Sequence, residues 1–307
     1  TLKKVLAELK KKEADIPIFL EGLTNNETNG ESLKAIIKNT DIKATPYDEL
    51  SFTPRPSHAD YVSYIQSGKK GFSTGGGRFS GRMTAPFCIA GYIAKEYLSK
   101  KGIEVLAYVT SIGKIKGLSY QEREISLNEI RSIQNFPIPA FEDDSREKMR
   151  AEVEKAKKEM DSVGGIIECI VFGLTAGIGD TMQLGMESRI SSSVFGVPAV
   201  KAIEFGRGFD ITEMRGSKAN DPFIMRGGKV ETKTNNSGGI NGGISNGMPI
   251  TLRVAIRPTP SIGKIQNTVN LKTGEEVQIS IKGRHDACIV PRAVPCIESA
   301  VALAIMD

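Results

Sequence analysis

The sequence holds few of the residues from which metal and thiol redox sites are built. Its four cysteines, Cys88, Cys169, Cys288 and Cys296, form no C-x-x-C pair, and His58 and His285 are the only two histidines in 307 residues. A zinc centre is hard to assemble from that stock, so no metal is expected and the thiols read as reduced and buried. No apolar run approaches the roughly 20 residues that a membrane helix needs. No signal peptide opens the chain, which makes a reducing cytoplasm the expected compartment. Low-complexity tracts are absent, and the 41 lysines and arginines are spread along the chain rather than run together among stacking aromatics. That argues against nucleic acid and against a membrane as partners. A net charge of +5 suits an enzyme with a small, multiply anionic substrate.

What the chain does have is glycine, 32 residues of it, clustered rather than scattered. Such clusters mark loops that approach a ligand closely or need positive φ. Around them the hydrophobic pattern is mixed. Leu2, Val5, Leu6 and Leu9 predict an opening helix, and 16–23 and 32–39 predict strands. A glycine-rich loop runs into a helix lined by Met83, Phe87, Ala90, Gly91, Ala94 and Leu98 and stopped at Gly102. A strand over 103–115 precedes a helix over 145–164, capped by Ser145 and ended by Gly164. Further strands are expected at 165–174, 199–206, 250–258 and 276–283, with a helix near Met186 to Val194 and a closing helix from Pro295. The stretch from Arg207 to Gly247 carries little periodicity and reads as a long loop, functional or disordered. Without a βαβ rhythm, the expected class is α+β with antiparallel sheets, in a single domain over 1–307.

Three polar blocks are candidates for chemistry. In GGGRFSGRM, Gly76 and Gly81 have the spacing of a phosphate loop, but Arg82 and Met83 follow where Lys and Ser/Thr are needed for a nucleotide and magnesium. What remains is an anion-binding loop at a helix start bearing Arg78 and Arg82, or two arginines merely exposed there. In RPSHAD, His58 lies between Arg55 and Asp60 and reads equally as a catalyst or a hydrogen-bonded structural residue. In GRHDACIVPRAVP, Arg284, His285 and Asp286 follow a strand, as a site or as a charged turn with an internal Arg–Asp pair.

Together these blocks resemble the chorismate synthase family. RPSHADY, GGGRFSGRMTA, KKEMDSVGGIIE, GVPAVKAIEFGRGF, MRGSKANDPF, TNNSGGINGGISNGMPI, IRPTPSI and GRHDACIVPRAVP carry the resemblance, in the family's order, over nearly the entire chain. It implies a β-α-β sandwich with antiparallel sheets, generally a homotetramer. The implied activity is the anti-1,4-elimination of phosphate from 5-enolpyruvylshikimate 3-phosphate, giving chorismate. The family uses reduced FMN, with NADPH or an external reductant as the source of electrons.

By family position, Arg55, Arg82 and Arg284 are expected to bind substrate. His58 is expected to protonate or stabilise the reduced flavin, and Asp286 to assist proton removal. Phe79, Ser80, Gly81, Pro198, Ala199, Gly242, Arg257, Pro258, Thr259, Pro260, Ser261 and Arg284 are expected to contact FMN. Phe79 stands for a usual serine, Gly81 for alanine, Met83 for glutamate and Arg257 for a common lysine. The family's N-terminal strand with its Ser-His-Gly turn, and its Arg-rich loop near residue 11, are missing from the 307 residues. The natural protein is expected to carry both, ordered when FMN and substrate supply the countercharge. A catalytically dead relative or an FMN-binding scaffold is the competing reading, against which the retention of His58, Asp286 and the three arginines argues.

Overall fold

The structure, a computed structural model, describes residues 16–25, 27–38, 52–68, 77–281 and 286–307. The expected opening helix, Arg284 and His285 lie outside the described residues.

Five strands form the central sheet: β1 (Glu104–Ile112), β2 (Ile115–Lys116), β3 (Gly165–Phe172), β4 (Val200–Phe205) and β5 (Ile250–Ile256). Their spatial order is β2-β1-β3-β5-β4, and every neighbouring pair is antiparallel. Six helices matter here: α1 (Asp60–Gln66), α2 (Thr84–Lys100), α3 (Leu127–Ile133), α4 (Asp143–Lys158), α5 (Met186–Phe195) and α6 (Val290–Met306). The remaining strands form two-stranded antiparallel pairs, so the class is α+β with antiparallel sheets, as expected.

Both faces of β1 are buried, and its alternation sorts them. Val105, Ala107 and Val109 join the main core with α2, α5 and α6, whereas Leu106 and Tyr108 face a second core with Ile130 and Ile133 of α3. A register shift between Val109 and Ser111 inserts one extra residue, which returns Ile112 to the main core three positions after Val109. Along the edge that β2 leaves bare, Ala107 N donates to Glu298 Oε1 at 2.8 Å, Val109 N donates to Pro139 O at 2.8 Å, and Gln134 Nε2 donates to Ala107 O at 2.9 Å. Two side chains and the Pro139 carbonyl therefore occupy groups that would otherwise template a further strand.

The helix layer is closely spaced. A Cβ built on Gly91 of α2 would lie 2.1 Å from Cβ of Ser299 on α6, so only glycine allows that crossing. One turn earlier on both helices, Sγ of Cys88 and Cys296 lie 3.7 Å apart as free thiols, and all four cysteines are free.

Several boundaries differ from expectation. Helix α4 starts at Asp143 after the N-cap Glu142, and Ser145, buried within it, donates from Oγ to Glu142 Oε2 at 2.8 Å rather than capping. It ends at Lys158, not Gly164, because Met160 turns the chain at φ 55°. Helix α6 begins at Val290, five residues before Pro295. Helix α3, absent from the expectations, is set by a capping box in which Ser126 Oγ accepts from Glu129 N and Glu129 Oε2 accepts from Ser126 N at 2.8 Å. The stretch 207–247 is not structureless. It holds the Phe223–Arg226/Lys229–Thr232 hairpin, a short Ile240–Asn241/Ile244–Ser245 pair, and Asp221, whose carboxylate accepts from Thr234 Oγ1, Asn236 N and Ser237 N.

Candidate active site

Pro54 and Pro56 bracket Arg55, which favours an extended backbone there, and the helix starts only at Asp60. This loop is pinned to the Gln266–Val269/Glu276–Ile279 hairpin region, where Thr268 Oγ1 donates to Pro54 O at 2.5 Å and Leu271 N donates to Phe52 O at 2.8 Å. So held, Arg55, His58 and Asp60 converge. Arg55 Nε and Nη2 donate to the two oxygens of Asp60 at 2.7 and 2.8 Å, the bidentate fork that suits guanidinium to carboxylate. Arg55 N adds a third bond to Asp60 at 3.0 Å, and His58 Nδ1 lies 2.7 Å from Asp60 Oδ1.

Asp60 is only 3% exposed. Burial pushes its pKa up, but the hydrogen bonds from Arg55 and His58 outweigh that and hold the carboxyl well below the ordinary range.

A second segment joins this one. Arg55 Nη1 donates to Ser261 Oγ at 3.2 Å, and Arg257 Nη2 donates to Ser57 O at 2.7 Å. Arg257 N also donates to Ala199 O at 3.0 Å. Ser57 and Ala199 are two of the few non-glycine residues at positive φ, 58° and 73°. Arg257 thus stitches together two turns whose backbones cost of order 1–3 kcal/mol each to hold, a kind of strain that gathers at functional sites. Pro198 precedes Ala199 in the same turn, between α5 and β4.

The run Arg257–Ser261 leaves β5 beside Gly164, where an added Cβ would meet Ile256 O at 2.3 Å and Pro258 Cδ at 3.0 Å. Ser162 Oγ donates to Thr259 O at 2.7 Å, and Val163 N donates to Ala287 O at 2.8 Å. Residues 162–163 therefore bridge the Arg257 run to the segment that carries Asp286. Asp286 is half exposed and pairs with Arg292 in the first turn of α6. The internal pair expected between Arg284 and Asp286 falls outside the described residues, and the partner described for Asp286 is Arg292.

Phe79, Ser80, Gly81 and Arg82 form two short turns that lead into α2. Ser80 Oγ caps the second by accepting from Arg82 N at 3.3 Å, Thr84 Oγ1 donates to Gly81 O at 2.6 Å, and Arg78 reaches Gln66 at the end of α1. Gly242 belongs to a separate hairpin, whose bonds run to the loop before α5: Met186 N donates to Gly243 O, and Ser245 N donates to Ile178 O, both at 2.8 Å.

The structure therefore gathers Arg55, His58, Ala199, Arg257 and Ser261 into one cluster, with Thr259 one hydrogen bond away from the bridge to Asp286. It keeps the turns at 79–82 and the Gly242 hairpin on their own supports. Asp60 is the residue at the centre of the cluster that the sequence reading left out of its site. The available signal was local: a carboxylate two residues after a histidine and five after an arginine, all in one loop.

Buried arginine–carboxylate clusters occur on unrelated folds, so the comparisons with known proteins carry the identification. A model of the chorismate synthase family matches residues 3–307. The chorismate synthase of Thermococcus kodakarensis is 44% identical over 298 residues, 97% of this chain and 82% of its own length. Those of Korarchaeum cryptofilum and Lancefieldella parvula are 44% and 42% identical, each spanning 96–97% of this chain and 81% of their own lengths. A crystal structure of chorismate synthase superposes with a TM-score of 0.75 over 99% of this chain and 82% of that one, at 23% identity, and so supports the fold. With the family match running through the segments that build the Arg55–Asp60–Arg257 cluster, the chain belongs to the chorismate synthase family.

Proposed function

We propose that this chain converts 5-enolpyruvylshikimate 3-phosphate to chorismate and phosphate with reduced FMN as cofactor, and that the cluster around His58 is the flavin side of its active site. The observation that carries this reading is the tie of Arg55 and Ser57 to Ser261 and Arg257, which joins two separately expected blocks by direct hydrogen bonds.

The donor set suits FMN. Thr259 Oγ1 is buried and has no hydrogen-bond partner among the described residues, an orphan hydroxyl within the run assigned to the flavin. Backbone at Gly81 and Gly242 is open, since an added Cβ would meet nothing within 4 Å at either position. Pro198, Ala199, Pro258 and Pro260 offer weakly polar surface around the Ala199–Arg257 hydrogen bond. Reduced FMN supplies an electron-rich ring that eases departure of the phosphate.

The chain's own residues do the rest. Arg82, and Arg284 outside the described residues, hold the substrate's anionic groups, with Arg55 contributing donors left after Asp60 and Ser261 are served. Phe79 and Ser80 hold the flavin loop. His58 presents to the flavin an imidazole that can take up and give a proton, and Asp286, steadied by Arg292, accepts the proton lost from substrate. The exposed apolar side chains of Phe223, Met225 and Val230, 70%, 69% and 59% accessible on one hairpin, favour association with further copies, in line with the homotetramer that family membership suggests. Among the described residues no helix is long and apolar enough to cross a membrane, and a cytoplasmic enzyme fits that. NADPH or an external donor keeps the flavin reduced.

The test is stoichiometry under nitrogen. With reduced FMN and substrate, phosphate and chorismate should appear in equal amounts without net consumption of reduced flavin. Phosphate release without chorismate would make the protein a phosphatase and overturn the reading.

A further inference from the structure

The short contact between His58 and Asp60 fixes more than a salt bridge. His58 Nδ1 lies 2.7 Å from Asp60 Oδ1 and 3.0 Å from Arg55 Nη2. A single ring nitrogen cannot donate to the first and accept from the second at once. The carboxylate contact is the shorter and is charge-assisted, and the same Arg55 Nη2 already donates to Asp60 Oδ1 at 2.8 Å. The proton therefore sits on Nδ1, pointing at Asp60. The Nε2 atom is left without a partner among the described residues.

Asp60 is well placed to impose that choice. It is 3% exposed, it opens α1 where a helix N-terminus favours an anion, and both its oxygens are occupied by donors fixed to the backbone loop 55–58. Its negative charge also faces Arg55, whose own side chain is 20% exposed, so the buried pair is neutral as a unit.

We propose that Asp60 is a positioning residue for the elimination: it locks neutral His58 in the Nδ1–H tautomer, so that Nε2 is the ring atom offered to the ligand, and it holds part of Arg55's charge away from the substrate. Two consequences follow. The imidazole meets its ligand with a lone pair when neutral and with an Nε2–H only when protonated, which makes His58 a proton carrier at a fixed atom rather than a neutral donor. Loss of the Asp60 charge frees the Arg55 guanidinium toward anions.

This inference rests on the active-site reading of His58, but its test does not. Only two histidines exist in the chain, so long-range nitrogen–proton correlation spectra of the imidazole rings contain two patterns, and the one lost in His58→Ala belongs to His58. In the flavin-free wild-type protein with the ring neutral, His58 should show Nδ1–H and a bare Nε2. An amide at position 60 can donate as well as accept, so Asp60→Asn should populate the Nε2–H form. It should also lower kcat by about 10²-fold, the scale of a positioned acid–base group, while KM for the substrate does not rise. Asp60→Glu should recover part of kcat and the Nδ1–H pattern.

A wild-type His58 in the Nε2–H tautomer would overturn the proposal without any variant. So would an Asp60→Asn protein that keeps both tautomer and kcat, or one whose loss lies in KM alone. Normal turnover by His58→Ala would instead remove the active-site reading and leave the tautomer result standing by itself.

Discussion

At the scale of single residues, the candidate site is a set of charges whose partners decide what they do. Asp60 gives a pH signature. Its folded-state pKa is depressed, while an unfolded aspartate titrates near ~3.9. As pH falls, the unfolded chain therefore takes up the proton first. The stability Asp60 contributes is fully present above about pH 4 and is lost as pH drops through the window below it. Melting temperatures measured from pH 6 to pH 2 should fall more steeply for wild type than for Asp60→Asn; parallel curves would deny the carboxylate this role. Asp286 differs in being half exposed and, among the described residues, held by Arg292 alone. Asp286→Asn keeps the shape and removes the proton acceptor, so kcat should fall by about 10²-fold or more with FMN affinity little changed. Rapid-mixing kinetics beside a flavin titration would show this, and an unchanged kcat would return Asp286 to the role of a helix-start ion pair.

At the scale of elements, the close crossing of α2 and α6 anchors the turns at 79–82, because α2 begins where those turns end. Alanine is intrinsically better than glycine in a helix by about 1 kcal/mol. Gly91→Ala should nevertheless destabilise the protein by about 1–3 kcal/mol, since the new Cβ would sit 2.1 Å from Ser299 Cβ and force the helices apart. Chemical denaturation decides the sign, and a stabilised variant would show that the layer yields. Elements with a regular period were legible in the sequence: Val105 to Val109 and Ile250 to Ile256 alternate or run apolar, and of the residues read as lining α2, Gly91, Ala94 and Leu98 are buried, whereas Met83 and Ala90 are exposed and the first buried turn is made by Cys88 instead. Those held by single polar contacts were not. Ser145 looked like a cap but turns to Glu142, and the first turn of α6 hides behind Pro291 and Pro295. Asp221 organises 218–237 through bonds to Thr234, Asn236 and Ser237 that leave no period to read.

At the scale of the whole molecule, the sheet brings distant blocks to one place. Residues 55–60, 198–199 and 257–261 are far apart in the chain, yet β4 and β5 are adjacent strands, and their ends deliver Ala199 and Arg257 to the same hydrogen bond. Motif resemblance named most of these residues one block at a time. What it could not give was their joining, because the tie of Arg55 to Ser261 spans 206 positions and has no local signature. The central claim is that this gathered cluster serves a reaction that needs a reduced flavin yet leaves no net redox change. The most direct measurement is anaerobic turnover of 5-enolpyruvylshikimate 3-phosphate, followed by chorismate absorbance, with FMN reduced by dithionite, with FMN oxidised, and with none. The account predicts sustained chorismate formation only with the reduced cofactor; equal turnover with oxidised flavin or without flavin would contradict it.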